Sequence, residues 1–193
     1  MMSFTPSRND AQKLLDSYIT AANLRAHSLA VASIMEHFAK KSGEDPDKWF
    51  IIGLVHDLDY EKYPDEHCKK TEEILREEDW PDDYIRAILS HGWKRVTDVK
   101  PEHYMEKVLF AADELSGLIT ATALVRPSKS IMDMNVKSVK KKFKDKSFSA
   151  AVDRELIEEG CTMLGLDLSE MIAESIEGMK KVAKEIGLEG NPQ

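Results

Sequence analysis

An all-α fold is predicted for this 193-residue chain by three observations. Apolar residues recur at steps of three and four through most of its length. Helix start and stop residues stand at the ends of those periodic runs. No stretch shows the apolar–polar alternation of a half-buried strand. The expected architecture is a helical bundle over residues 1–125, with a C-terminal extension of accessory helices over 126–193 packed on the same domain.

The elements follow in order. Ser7 to Thr20 carries Leu14, Leu15, Tyr18 and Ile19 at helical spacing. Asn23 can cap a second helix running to about Lys41, with Gly43 as its stop. One face of that helix collects His27, Val31, Ile34, Met35 and Phe38. Asp45 followed by Pro46 signals a third start. The run it opens, DKWFIIGLVHDLD, is apolar nearly all round and should be central. Tyr60 to Glu66, with Pro64, interrupts it.

Further helices are expected over Glu66 to Glu77, Pro81 to His91 and Glu102 to about Ala123, with Pro81 at a first helical position and Gly92 as a stop. Pro127 and the polar RPSKS stretch mark the clearest boundary. A short basic helix near Asn135 to Phe143 follows, then helices over Ser149 to Leu164 and Leu168 to Ile186, the last capped by Asp167 or Ser169. Met163, Leu164, Leu166, Met171, Ile172, Ile176 and Met179 form an apolar stripe there. Core packing is its ordinary explanation, and a homodimer interface is the alternative.

Composition narrows the function. With 42% hydrophobic and 32% charged residues the chain reads as a folded globular protein. No apolar run is long enough to span a membrane. The N-terminal stretch lacks the basic-then-apolar layout of a signal peptide. Cys68 and Cys161 give no disulfide framework, so a cytoplasmic, reduced pair is expected. A net charge of -8 argues against general nucleic-acid binding. Yet Arg126 to Lys146 holds eight basic and two acidic residues, +6 on a remainder of -14. Such an island is either a solvated helix face or a site for a small anion.

Six residues carry the chemistry: His27, His56, Asp57, His67, His91 and Asp113. Each alone has a bland reading; a lone histidine on an apolar face is more often a core residue bonded to a carbonyl. Together they argue otherwise. His56 and Asp57 end the run FIIGLV, where an unpartnered polar pair would be costly. Asp113 lies in VLFAADELSGLI with no Lys or Arg one helical turn away, so it demands a positive partner. Four imidazoles and two carboxylates, with no thiolate, suit one or two divalent ions from Mn, Fe, Co, Ni, Zn and Mg. Open positions on such ions are where activated water does hydrolysis. His37 and His103 read as solvated or surface residues, and Trp93 is a candidate pocket residue beside His91. Asp59 and Glu61 either support ligand imidazoles or are simply solvated, the latter being the commoner role.

The pattern His27, then HD at 56–57, then His67, His91 and Asp113, over about Asn23 to Ala123, resembles the HD-domain superfamily of metal-dependent phosphohydrolases. The full six-residue set looks like its binuclear, HDIG-like branch. The resemblance implies an HD-domain helical bundle in which His27, His56 and Asp113 bind one ion, His67 and His91 the other, and Asp57 bridges them as the catalytic carboxylate. Two departures set the chain apart from the HD-GYP phosphodiesterases. HDIG reads HDLD, and Tyr60 stands where a lysine follows in that group. If His67 does not reach the site, the simpler mononuclear set remains.

The activity so implied is hydrolysis of a phosphate ester, a nucleotide or other small phosphorylated metabolite. Arg126 and Lys129, with Lys140 and Lys141 behind them, are the candidate phosphate-binding cations. Two other readings use the same residues. One is a di-iron oxygenase, a chemistry also found in the superfamily; the other is a non-catalytic metal- or anion-binding module.

Overall fold

Six of the nine α-helices in the computed structural model, which describes residues 5–191, begin on a side-chain cap. The first four residues of the N-terminal stretch read above for targeting lie outside that range. Helix α1 (Arg8–Tyr18) starts on a reciprocal cap between Ser7 and Asp10. Helix α2 (Ala22–Ser42) starts at Ala21, which offers no side-chain cap. The cap expected from Asn23 is therefore absent, because Asn23 already lies inside the helix. Gly43, at φ 75°, closes α2 behind Lys40 and Lys41, whose charges suit a helix C-terminus.

Helix α3 (Pro46–Val55) is capped by Asp45, whose side chain accepts from the amides of Asp47 and Lys48. Trp49, Ile51, Ile52, Leu54 and Val55 are all buried, as an apolar circumference requires. Each such side chain contributes about 1.5–3 kcal/mol by leaving water. Helix α4 (Lys69–Glu77) follows a 3-10 turn at Pro64–Glu66, and α5 (Asp82–Leu89) runs into a second 3-10 turn at Ser90–Gly92. Pro81 is the residue before α5, with ψ 143°, and not its first helical residue.

Helix α6 (Tyr104–Leu124) is the second long helix, capped by His103 with Glu106. Helices α7 (Val136–Lys144), α8 (Arg154–Leu164) and α9 (Leu168–Lys180) complete the chain, and no strand occurs among the described residues. Among these three helices two ends differ from expectation. Helix α8 starts at Arg154 because Asp153 supplies the cap, while Ser149 holds a left-handed φ of 48°. Helix α9 tightens after Lys180 into i→i−3 bonds from Lys181, Val182 and Ala183, and the turn ends at Gly187.

The core lies between α2, α3 and α6, with α9 laid on α2 and α8 on α6. A Cβ at Gly53 would sit 2.8 Å from the Cα of Ala32, so glycine lets α3 press directly on the backbone of α2. The Ser33 hydroxyl on α2 donates to the carbonyl of Gly178 on α9 at 2.7 Å. Met171, Ile172, Ile176 and Met179 of the C-terminal stripe are buried in this chain's own core. No helix among the described residues is long and apolar enough to cross a membrane.

Candidate metal centre

Five separate elements bring side chains to one cleft of about 500 Å³. His27 comes from the second turn of α2 and Asp113 from the middle of α6. His56 and Asp57 stand where α3 unwinds. His67 follows the 3-10 turn at Pro64–Glu66, and His91 lies in the one that ends α5. The structure thus brings all six expected residues together, His67 among them. His27, Asp57, His67, His91 and Asp113 line the cleft, and His56 is fully buried behind them.

Asp57 is the common member. Its Oδ2 is 3.5 Å from His27 Nε2, and its Oδ1 lies 3.5 Å from His56, 3.5 Å from His67 and 3.3 Å from His91, each at Nε2. Asp113 Oδ1 is 3.1 Å from His27 Nε2 and 3.5 Å from His56 Nε2. The ligand atoms of His27, His56, Asp57 and Asp113 form one compact group within 4.8 Å of one another.

The outer nitrogens show what the inner ones are for. His56 Nδ1 donates to the carbonyl of Gly53 at 2.8 Å, and His91 Nδ1 to that of Ile88 at 2.5 Å. His67 Nδ1 donates to Asp59 Oδ1 at 2.8 Å. His27 Nδ1 donates to Ser116 Oγ at 3.2 Å, whose own proton goes to the carbonyl of Asp113 at 2.8 Å. All four rings therefore hold Nδ1–H outward and present Nε2 to the cleft, the arrangement of metal-ligating histidines. The Nε2 of His56 is buried without a hydrogen-bond partner, and those of His67 and His91 face each other at 3.2 Å. Facing acceptor nitrogens and an orphaned buried one fit a cation between them.

In the metal-free chain protons stand in for that cation. Burial opposes a charge on His27, but Asp113 and Asp57 outweigh it and raise the imidazole to about 10. His67 is raised to about 9, burial again being overcome, chiefly by Asp59. Asp57 and Asp113 are held below the ordinary carboxylate range by the surrounding imidazoles despite their burial.

Asp59 is fully buried, not solvated: one oxygen orients His67 and the other accepts the amide of Thr71 at 2.9 Å. The HDLD spacing could have pointed to it, since Asp59 follows Asp57 as the chain leaves α3. Glu61 instead accepts from the amides of Thr20 and Ala21. His37 is held by Glu174 at 2.6 Å rather than solvated. Trp93 packs on Phe110 and is not a lining residue of the cleft.

Of the expected phosphate-binding cations, none of Arg126, Lys129, Lys140 and Lys141 lines the cleft. Arg126 is engaged by Asp133 at 3.0 Å and by Ser138, and Lys140 donates to Ser169 at 2.7 Å. Lys129 and Lys141 are exposed. The cation that does line the cleft is Arg95, paired with Glu114. Burial and the neighbouring charge of Asp113 raise the carboxyl of Glu114. Ala151 and Val152, from the segment beyond Pro127, also form cleft wall, so the C-terminal part shapes the site.

The family model described as HD domain matches residues 24–118, the segment that carries all six residues. The chain belongs to the HD-domain superfamily. Membership makes it one of a superfamily of metal-dependent hydrolases, and the clustered His and Asp residues of this HD domain could hold divalent metal. No curated protein and no solved structure gives a match.

Proposed function

We propose that this HD-domain protein is a phosphohydrolase that cleaves a phosphate ester of a nucleotide or other small phosphorylated metabolite, using two divalent ions. The observation that carries the reading is the convergence of four Nε2 atoms on Asp57 at the wall of an open cleft. His27, His56 and Asp113 would hold one ion and His67 and His91 the other, with Asp57 shared. Bound there, the ions would supply an activated water and neutralise charge on the phosphoryl oxygens.

The chain's own residues do the rest. Gly53, Ile88, Asp59 and Ser116 fix the ring orientations, so that the Nε2 atoms need no reorganisation when a ligand arrives. Arg95, about half exposed at the cleft rim, can leave Glu114 for the non-reacting oxygens of a phosphate. A second, more apolar cavity of about 310 Å³ shares His27 and Gly117 with the cleft and includes Leu124, Ile186 and Leu188. It gives room for the part of the substrate remote from phosphorus.

Metal content by elemental mass spectrometry, beside an Asp57→Ala variant, tests the centre. About two equivalents in the native chain, lost in the variant, are expected. A panel of phosphate esters supplied with Mn or Fe(II), with and without chelator, tests the reaction. A metal-loaded protein that turns over none of them would refute the hydrolase reading, and one that takes up no metal would refute the centre itself.

A further inference from the structure

Cys68 is buried beside the second pair of histidines, outside the six residues considered so far. Its Sγ lies 3.7 Å from His67 Nε2 and 3.9 Å from His91 Nε2, and the two nitrogens are 3.2 Å apart. Both rings donate from Nδ1, to Asp59 and to the carbonyl of Ile88, so in the neutral rings that an ion requires both Nε2 atoms offer a lone pair. A thiol has one hydrogen and can serve only one of them. With the rings neutral, two imidazole nitrogens and a sulfur therefore surround one space that a single thiol hydrogen cannot fill.

The triangle has the dimensions of a metal site. Bonds of about 2.0–2.1 Å to nitrogen and about 2.3 Å to sulfur span these three edges at angles of roughly 100° to 130°. The sulfur is also held in place. Cys68 adopts a left-handed φ of 68°, uncommon for a residue with a side chain and a form of strain that clusters at functional sites. A Cβ at position 92 would meet Cys68 Sγ at 2.8 Å, so Gly92 leaves the room the sulfur occupies.

We infer that Cys68 is a thiolate ligand to the ion held by His67 and His91, and that the two halves of the centre differ in kind. The half at His27, His56, Asp57 and Asp113 is made of nitrogen and oxygen, whereas the half at His67 and His91 adds sulfur. Sulfur selects a thiophilic divalent ion, zinc, ferrous iron or cobalt, over magnesium, manganese or calcium. The inference rests on the reading of the cleft as a metal centre.

Cobalt(II) titration of the full chain distinguishes the two claims, because thiolate ligation gives an intense near-ultraviolet charge-transfer band while any bound cobalt gives weak visible bands. Both should appear in the native chain and in Cys161→Ser. In Cys68→Ser the near-ultraviolet band should vanish, and affinity for the ion it reports should fall at least about tenfold. Visible bands without the charge-transfer band in the native chain would overturn the thiolate and leave the metal centre standing. A band that survives in Cys68→Ser would overturn it as well. No cobalt bound by the native chain would overturn both claims. If Cys68→Ser fails to fold by circular dichroism, the presence or absence of the band in the native chain and in Cys161→Ser still decides.

Discussion

At the scale of single residues, the centre depends as much on what stands behind the histidines as on the histidines. Asp59 is fully buried and gives one carboxylate oxygen to His67 Nδ1 and the other to the Thr71 amide. Its charge makes His67 a better donor toward an ion and fixes the ring that must meet His91. Asp59→Asn keeps the shape and removes the charge. Affinity for zinc, measured by competition with a chromophoric chelator, should fall about 10–100-fold while the helical circular dichroism is kept. An unchanged affinity in the folded variant would show that Asp59 only fills space.

The same residue marks a limit of sequence reading. The six ligand candidates were legible because each combines an ionisable side chain with an apolar setting that cannot solvate it. Asp59 was legible only as the rarer of two readings and Cys68 not at all, for opposite reasons. Asp59 stands among polar residues in LDYEKY, where a carboxylate reads as solvated. Cys68 reads as a plain buried thiol until the turn at Pro64–Glu66 places it against His91, 23 positions away in sequence. Arg126 and Lys129 drew attention through local charge density, which says nothing about which neighbours consume that charge; Asp133 consumes that of Arg126.

At the scale of elements, α3 sets the positions of His56 and Asp57, and its placement depends on how closely it approaches α2. The helices themselves were legible in the periodicity of apolar residues, in the start signal Asp45–Pro46, and in Asp167, one of the two caps offered for the last helix. Their ends were less so, as Pro81 and Ser149 show, because helix ends depend on which side chain reaches the free amides. The contact at Gly53 gives a direct test. Adding one methyl group in Gly53→Ala puts Cβ 2.8 Å from the Cα of Ala32, backbone that cannot swing aside. Overpacking of this kind costs about 1–3 kcal/mol, and for a chain of this size each kcal/mol lowers Tm by about 2–4 °C. Calorimetry should show that loss, with metal content reduced because His56 and Asp57 move with the helix. An unaltered Tm would mean that α3 and α2 separate at little cost.

At the scale of the whole molecule, the metal-free centre stores protons between elements that otherwise repel through their carboxylates. Asp57 on the α3 end and Asp113 on α6 are both held below the ordinary carboxylate range despite burial, by the imidazoles of His27 and His56 and, for Asp57, of His91. His27 is raised from 6.5 to about 10 and His67 from 6.5 to about 9. A folded-state value above the unfolded one gives stability that is fully present below about pH 6.5 and is lost as pH rises through about 9 to 10. Chelator-treated protein should therefore lose Tm steadily from about pH 7 to pH 10, as His67 and then His27 give up their protons. An ion needs those same nitrogens neutral, so loading should release protons at neutral pH and tighten as pH rises. Isothermal calorimetry of zinc binding in buffers of different ionisation enthalpy counts the protons. More than one per chain should be released near pH 7, and the gap in Tm between loaded and metal-free protein should widen with pH. Zinc uptake without proton release would mean that the imidazoles are already neutral before the ion arrives. In that case some other cation or solvent network, not these protons, would hold Asp57 and Asp113 together.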